Sequence, residues 1–171
     1  NGANTALTLT GANTYTGGTT VGAGSGIITA LSNLPSTGSI TNNGTLTLNL
    51  TADGILNNNM SGTGGLTING PGTAVSFTLG GTNTFSGYTT LASTGITLLK
   101  NASSQSILNL QADGTTYDLD GADQTIGGLT GSSASHVFLG AQKLTVNTNT
   151  SDLTFEGVMT DGTRGSGGKF V

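Results

Sequence analysis

Residues 64–74 read Gly-Gly-Leu-Thr-Ile-Asn-Gly-Pro-Gly-Thr-Ala. Residues 167–171 joined to residues 1–6 read Gly-Gly-Lys-Phe-Val-Asn-Gly-Ala-Asn-Thr-Ala. The end of the chain is thus written as the approach to its beginning, and the match continues. Leu7-Thr8-Leu9-Thr10-Gly11-Ala12-Asn13-Thr14-Tyr15 stands against Phe77-Thr78-Leu79-Gly80-Gly81-Thr82-Asn83-Thr84-Phe85. A closed fold gives no reason for its two ends to continue each other. An array in which each unit stacks on the next does.

Other repeats point the same way. Leu48-Asn49-Leu50-Thr51-Ala52-Asp53-Gly54 returns as Leu108-Asn109-Leu110-Gln111-Ala112-Asp113-Gly114, and Gly64-Gly65-Leu66-Thr67 returns as Gly127-Gly128-Leu129-Thr130. The offsets differ, so the repeat is imperfect. We divide the chain into unit one, residues 1–68, and unit two, residues 69–171, the second longer by an insertion expected between about 114 and 156.

Within the units, apolar and hydroxyl residues alternate in short runs such as Thr45-Leu46-Thr47-Leu48-Asn49-Leu50 and Val75-Ser76-Phe77-Thr78-Leu79. That period of two marks strands with one buried face. Asn43-Gly44, Asp53-Gly54, Asn69-Gly70 and Asp113-Gly114 lie between the runs and mark turns. No stretch combines helical periodicity with a cap. A short strand, a turn and a return every 20 to 30 residues predict an all-β fold, a parallel β-helix (β-solenoid) of roughly seven rungs, in which 171 residues make a rod of about 35 Å. A sandwich also shows short strands, but it does not account for ends that continue each other.

Composition then limits the function classes. Threonine occurs 33 times and glycine 30, whereas lysine plus arginine total 4 and charged residues reach 7%, against about 25% in ordinary domains. With a net charge of -4 there is no electrostatic footprint for nucleic acid. No apolar stretch is long enough to insert in a membrane as a helix. There is no cysteine, so no disulfide or thiolate metal site. The chain starts at Asn1 rather than Met, and we expect a piece of a longer protein.

Two stretches are nearly the same: Gly11-Ala12-Asn13-Thr14-Tyr15-Thr16-Gly17-Gly18-Thr19-Thr20-Val21 and Gly81-Thr82-Asn83-Thr84-Phe85-Ser86-Gly87-Tyr88-Thr89-Thr90-Leu91. Gly11, Asn13, Thr14, Tyr15, Gly17, Thr19 and Thr20, with Gly81, Asn83, Thr84, Phe85, Gly87, Thr89 and Thr90, form a structural repeat motif. The motif closely resembles the autotransporter-associated β-strand repeat, also called the passenger-associated transport repeat. The resemblance covers residues 1 to about 28 and 62 to about 98. It departs at Tyr88, where a second Gly is usual, and at Lys169-Phe170-Val171, where Leu-Thr-Lys is usual. It implies a right-handed parallel β-helix in the passenger region of a large exported protein, extracellular or at the cell surface of a Gram-negative-type bacterium.

Few residues offer chemistry. Asp118, Asp120 and Asp123 form the acidic cluster and are the candidate calcium ligands, although the remaining donors of a known calcium loop are missing. Lys100, Lys143, Arg164 and Lys169 are scattered, which argues against a polysaccharide-degrading site with grouped carboxylates and cations. His136 follows Ser135 without a nucleophile elbow, so a turn or strand-edge role is expected. The sequons at Asn43, Asn49, Asn59, Asn101 and Asn149 are what a Thr-rich chain gives by chance. Asn13 with Asn83, and Tyr15 with Phe85, could stack as ladders if they share a rung position.

These readings lead to one expectation: a structural extracellular segment, a stalk or fibre part of an autotransporter-like surface protein, without cofactor or catalysis. Its partner would be itself, stacked end to end into filaments or on neighbouring repeats. The alternative is an adhesin binding a glycan or surface protein on the β-helix face.

Overall fold

The computed structural model describes residues 5–99, 103–147, 152–163 and 165–171. Lys100, Asn101, Asn149, Arg164 and the first four residues of the matching head lie outside them. Alternating residues produce strands, and the turn residues bend the chain after each, so that it winds into three-sided rungs. The first two rungs hold β1 (Thr5–Leu9), β2 (Thr19–Val21), β3 (Ser25–Ala30) and β4 (Ile40–Asn42), with a short 3-10 turn at Leu31–Asn33. The third holds β5 (Thr45–Asn49), β6 (Gly54–Leu56) and β7 (Met60–Ser61); the fourth β8 (Gly65–Asn69) and β9 (Val75–Leu79). The fifth has β10 (Thr89–Leu91) and β11 (Ile96–Leu99); the sixth β12 (Ile107–Leu110), β13 (Thr116–Asp118) and β14 (Gln124–Ile126). β15 (Gly128–Gly131), β16 (His136–Phe138), β17 (Lys143–Val146), β18 (Val158–Thr160) and β19 (Lys169–Phe170) complete the coil.

Every pairing is parallel and joins one rung to the next. The first face is the seven-stranded sheet β1-β3-β5-β8-β10-β12-β15. The second is the six-stranded sheet β18-β16-β13-β11-β9-β6. The third is made by β2-β4-β7 at one end and β14-β17-β19 at the other. The molecule is therefore a β-solenoid of about seven turns, as the alternation and repeats predict. The described part of the stretch between 114 and 156 that we read as an insertion carries β13 to β17.

The core is a set of columns running along the coil. On the first face, Leu7, Ile27, Leu46 and Leu66 follow one another in register, then Thr89, Leu108 and Leu129. Leu46, Leu66 and Leu108 are wholly buried. On the second face Phe77, Leu98, Tyr117, Val137 and Met159 form the matching column. A parallel register that repeats every rung puts like beside like, so an apolar position continues as an apolar column, and each wholly buried Leu or Phe contributes about 1.5–3 kcal/mol. Outward, Thr47, Thr67 and Thr90 stand in a row, where β-branched residues suit a pleated surface.

Candidate functional site

The three duplications are not placed alike. Leu66 of Gly64-Gly65-Leu66-Thr67 and Leu129 of its copy occupy the same first-face column, three rungs apart. Leu48-Asn49-Leu50 and Leu108-Asn109-Leu110 also both run along the first face. The longer motif, however, changes face. Its first copy ends in β2 on the third face, while its second ends in β10 on the first. The offset of 70 residues is three rungs plus one side, so the repeating element is a side of the coil.

Asn13 and Asn83, and Tyr15 and Phe85, therefore do not stack on each other, which corrects the ladder expectation. Each asparagine instead serves its own motif: Asn13 Nδ2 donates to the Gly11 carbonyl at 2.7 Å, and Asn83 Nδ2 to the Gly81 carbonyl at 2.9 Å. A true amide contact between rungs occurs elsewhere, from Asn69 Nδ2 to Asn49 Oδ1 at 3.0 Å. Phe85 is wholly buried and Tyr15 is 38% exposed, because Phe85 lies inside the coil and Tyr15 in its first rung. The Tyr15 hydroxyl lies 2.7 Å from Thr19 Oγ1.

The motif glycines differ in the same way. A Cβ on Gly87 would collide with the Gly64 carbonyl of the preceding rung, and one on Gly81 with the Asn58 carbonyl. Their counterparts Gly17 and Gly11 have nothing within 4 Å. Neither of these two has a positive φ among the described residues. Within the described residues, close approach explains the second-copy glycines and leaves the first-copy pair facing open space.

The acidic residues are occupied by the backbone. Asp118, only 7% exposed, accepts the Asp120 N–H on Oδ1 at 2.8 Å. Asp120 adopts a left-handed φ of 48°, which Asp tolerates in turns. Asp123 Oδ1 accepts the Lys143 N–H of the next rung at 2.8 Å. Among the described residues no three His, Cys, Asp or Glu form a group that could hold a metal ion, so the three aspartates do not make one donor set. A cavity of about 220 Å³ at this corner takes in Asp118 and Asp120 with Leu139 and Gln142.

His136 points outward on the second face, its ring centroid 6.0 Å from that of Phe138. The neighbouring Ser135 hydroxyl is buried and donates to the Ser132 carbonyl at 2.7 Å, so it is aimed away from nucleophilic work. Lys143 and Lys169 pair in register between β17 and β19 and are both exposed.

One surface feature was not singled out in the sequence. Ala6, Gly26 and Gly65 leave a shallow trough of about 500 Å³ along the corner between the third and first faces, bordered by Ser25, Asn43 and Thr63. The signal was a small outward residue at one register position in three of four consecutive rungs, Ala6, Gly26 and Gly65, with Thr45 between the last two.

Comparison with protein-family models, with curated proteins and with solved structures finds no match.

Proposed function

We propose that the chain is a structural, extracellular β-solenoid segment, a stalk or fibre part of an autotransporter-like surface protein, without catalytic or cofactor chemistry of its own. The observation that carries this reading is where the polar side chains are directed. Asn58 Nδ2 lies 2.9–3.2 Å from the carbonyls of Pro35, Thr37 and Gly38 in the preceding rung, which share its two hydrogens. Ser103 donates to the Phe85 carbonyl at 2.6 Å and Ser106 to that of Gly87 at 2.6 Å. Asp53 and Asn59 each accept a backbone N–H from the rung that follows. These hydroxyls, amides and carboxylates join one rung to the next, and such joining serves length and stiffness.

The localisation comes from the motif resemblance and is tested on the source cells. Antibody against the segment should label intact cells, and added protease should remove the label. Label seen only after permeabilisation would overturn the reading. The trough favours a second reading, an adhesin holding a glycan by hydroxyl and amide contacts. A glycan array with the 171-residue chain distinguishes the two, since reproducible binding lost in Asn43→Ala would favour the adhesin.

A further inference from the structure

Two Asn-Gly steps lie among the described residues, Asn43-Gly44 and Asn69-Gly70; Asn1-Gly2 lies outside them. We propose that Asn69 is a site of spontaneous backbone modification, its side-chain amide attacked by the Gly70 nitrogen to give a succinimide and then isoaspartate, while the fold holds Asn43 out of reaction. The inference does not depend on where the chain acts or on what it binds. A glycine after asparagine leaves the attacking nitrogen without a side chain to shield it and lets the backbone turn. The residue pair thus supplies the chemistry, and the surrounding hydrogen bonds decide which pair can carry it out.

Closing the ring requires the peptide that joins the two residues to turn until its nitrogen faces Cγ, so whatever pins that peptide slows the reaction. At Asn43 it is gripped from both sides. The Gly44 N–H donates to Asn42 Oδ1 at 3.2 Å, the Gly44 carbonyl accepts the Gly65 N–H at 3.0 Å, and Asn43 Oδ1 accepts the Thr63 N–H at 3.2 Å. Gly44 is also wedged between rungs: a Cβ there would run into the Ser25 carbonyl, and a Cβ on Gly64 would meet the Gly44 nitrogen at 2.7 Å. Asn69 is the last residue of β8, and one backbone bond holds its peptide, from the Leu50 N–H to the Asn69 carbonyl at 2.8 Å. The Gly70 N–H donates to nothing among the described residues. Neither do those of Gly72, Thr73 and Ala74, which with Pro71 make the exposed corner before β9. Segments with few backbone hydrogen bonds open locally at low cost. The Asn69 side chain has a single contact to break, Nδ2 donating to Asn49 Oδ1 at 3.0 Å.

Water is the only co-reactant needed. The Gly70 nitrogen gives up its proton and bonds to Asn69 Cγ, the Cγ–Nδ2 bond breaks, and Nδ2 leaves as ammonia with that proton. Water then opens the five-membered ring. Breaking the bond from nitrogen to the original main-chain carbonyl carbon leaves isoaspartate, in which the chain runs through Cβ and Cγ; breaking the newly formed bond leaves aspartate. Either product places a carboxylate on the first face, whose strands β1, β3, β5, β8, β10, β12 and β15 carry no charged side chain. Isoaspartate also adds one carbon to the chain at the corner that leads into β9.

Incubating the folded chain in neutral buffer at physiological temperature reads the reaction, with peptide mapping by mass spectrometry and isoaspartate detected by enzymatic methyl transfer. Conversion should appear at Asn69 first, with isoaspartate the main product and Asn43 at least about tenfold slower, since its corner must open further. In concentrated urea the two steps should convert at comparable rates, because neither peptide is then held. Asn69→Gln keeps the amide but lengthens the side chain past five-membered closure, and should remove the first-formed isoaspartate with the circular dichroism of the parent retained. Conversion at Asn43 as fast as at Asn69 in the folded chain would overturn the proposal. So would an Asn69 that stays intact while the urea-treated chain converts, or a preference for Asn69 that persists undiminished in urea, which would place its cause in the local sequence rather than the fold.

Discussion

Tyr117 allows the core columns to be tested at a single atom. Its side chain is wholly buried in the second-face column between Leu98 and Val137. Its hydroxyl has no hydrogen-bond partner, whereas Phe77 fills the same column two rungs below without one. A buried hydroxyl left unpaired costs about 1–3 kcal/mol. Tyr117→Phe removes that cost and leaves a void of one oxygen, worth about 0.5 kcal/mol against the variant. The net expectation is a gain of about 1 kcal/mol, or about 2–4 °C in Tm for a chain of this size. Alkaline pH adds a second readout. Burial pushes the phenol pKa up from 10.0, so between pH 10 and the raised value only the unfolded chain gives up this proton. Wild-type stability then falls by about 1.4 kcal/mol per pH unit from this group alone. The variant lacks that loss, so the gap of about 1 kcal/mol at pH 7 should roughly double by pH 11. Urea denaturation followed by circular dichroism at both pH values measures it. A variant less stable than wild type at pH 7, or a gap that does not widen, would show that the hydroxyl is hydrogen-bonded and the reasoning wrong.

The glycine contrast gives a paired prediction. Gly87→Ala should destabilise the chain by about 2 kcal/mol or more in urea titration, since its Cβ meets the Gly64 backbone. Gly17→Ala should leave the chain within about 0.5 kcal/mol, because nothing lies within 4 Å of the added Cβ. Asn58→Ala removes the two amide hydrogens that the carbonyls of the 35–38 loop share and should cost about 1–3 kcal/mol, with faster amide exchange confined to that loop and its neighbours. Millimolar calcium should not raise Tm in a thermal scan, because the Asp118 and Asp123 carboxylates already accept backbone N–H groups; a rise lost in Asp118→Asn would contradict this.

Much of the fold was legible because its rules are local. Thr45 to Asn49 and Val75 to Leu79 alternate without interruption, and both are strands. Parity along a strand fixes which residues enter the core, so Leu46, Leu48, Phe77 and Leu79 could be read as buried directly. What the sequence did not disclose is the phase between distant copies. Rungs spaced by 19 to 24 residues on the first face do not divide 70 evenly, and nothing in either motif says which side of the coil it occupies. The tail shows a second limit. Lys169 aligns with inward Leu66, yet the structure pairs Phe170 with buried Leu144 and Lys169 with exposed Lys143. A slip of one residue moves a strand's whole inward set to the other face. An ammonium is costly to bury and a phenyl ring gains by it, so the pairing follows the side chains rather than the alignment. The Asp118 to Asp123 cluster shows a related limit. Spacing showed three carboxylates close together and could not show that two of them already had backbone partners.

That a motif can change sides says what it is for. On any side the same three things are needed: an Asn that ties its loop to the Gly two residues before it, an aromatic at the corner, and a Gly thin enough for the adjacent rung to pass. Gly11 to Val21 and Gly81 to Leu91 supply these on different sides of the coil. They differ in outcome, Tyr15 38% exposed and Phe85 buried, because Tyr15 lies in the first described rung and Phe85 inside the coil. A recognition motif would lose its meaning when turned through a third of a rung, since its surroundings change. A stacking motif does not, because every side of the coil offers it the same neighbour one rung away. The conserved requirement between the two copies is thus for a rung on each flank. In the second copy that requirement is met by the backbone of Asn58 against Gly81 and of Gly64 against Gly87.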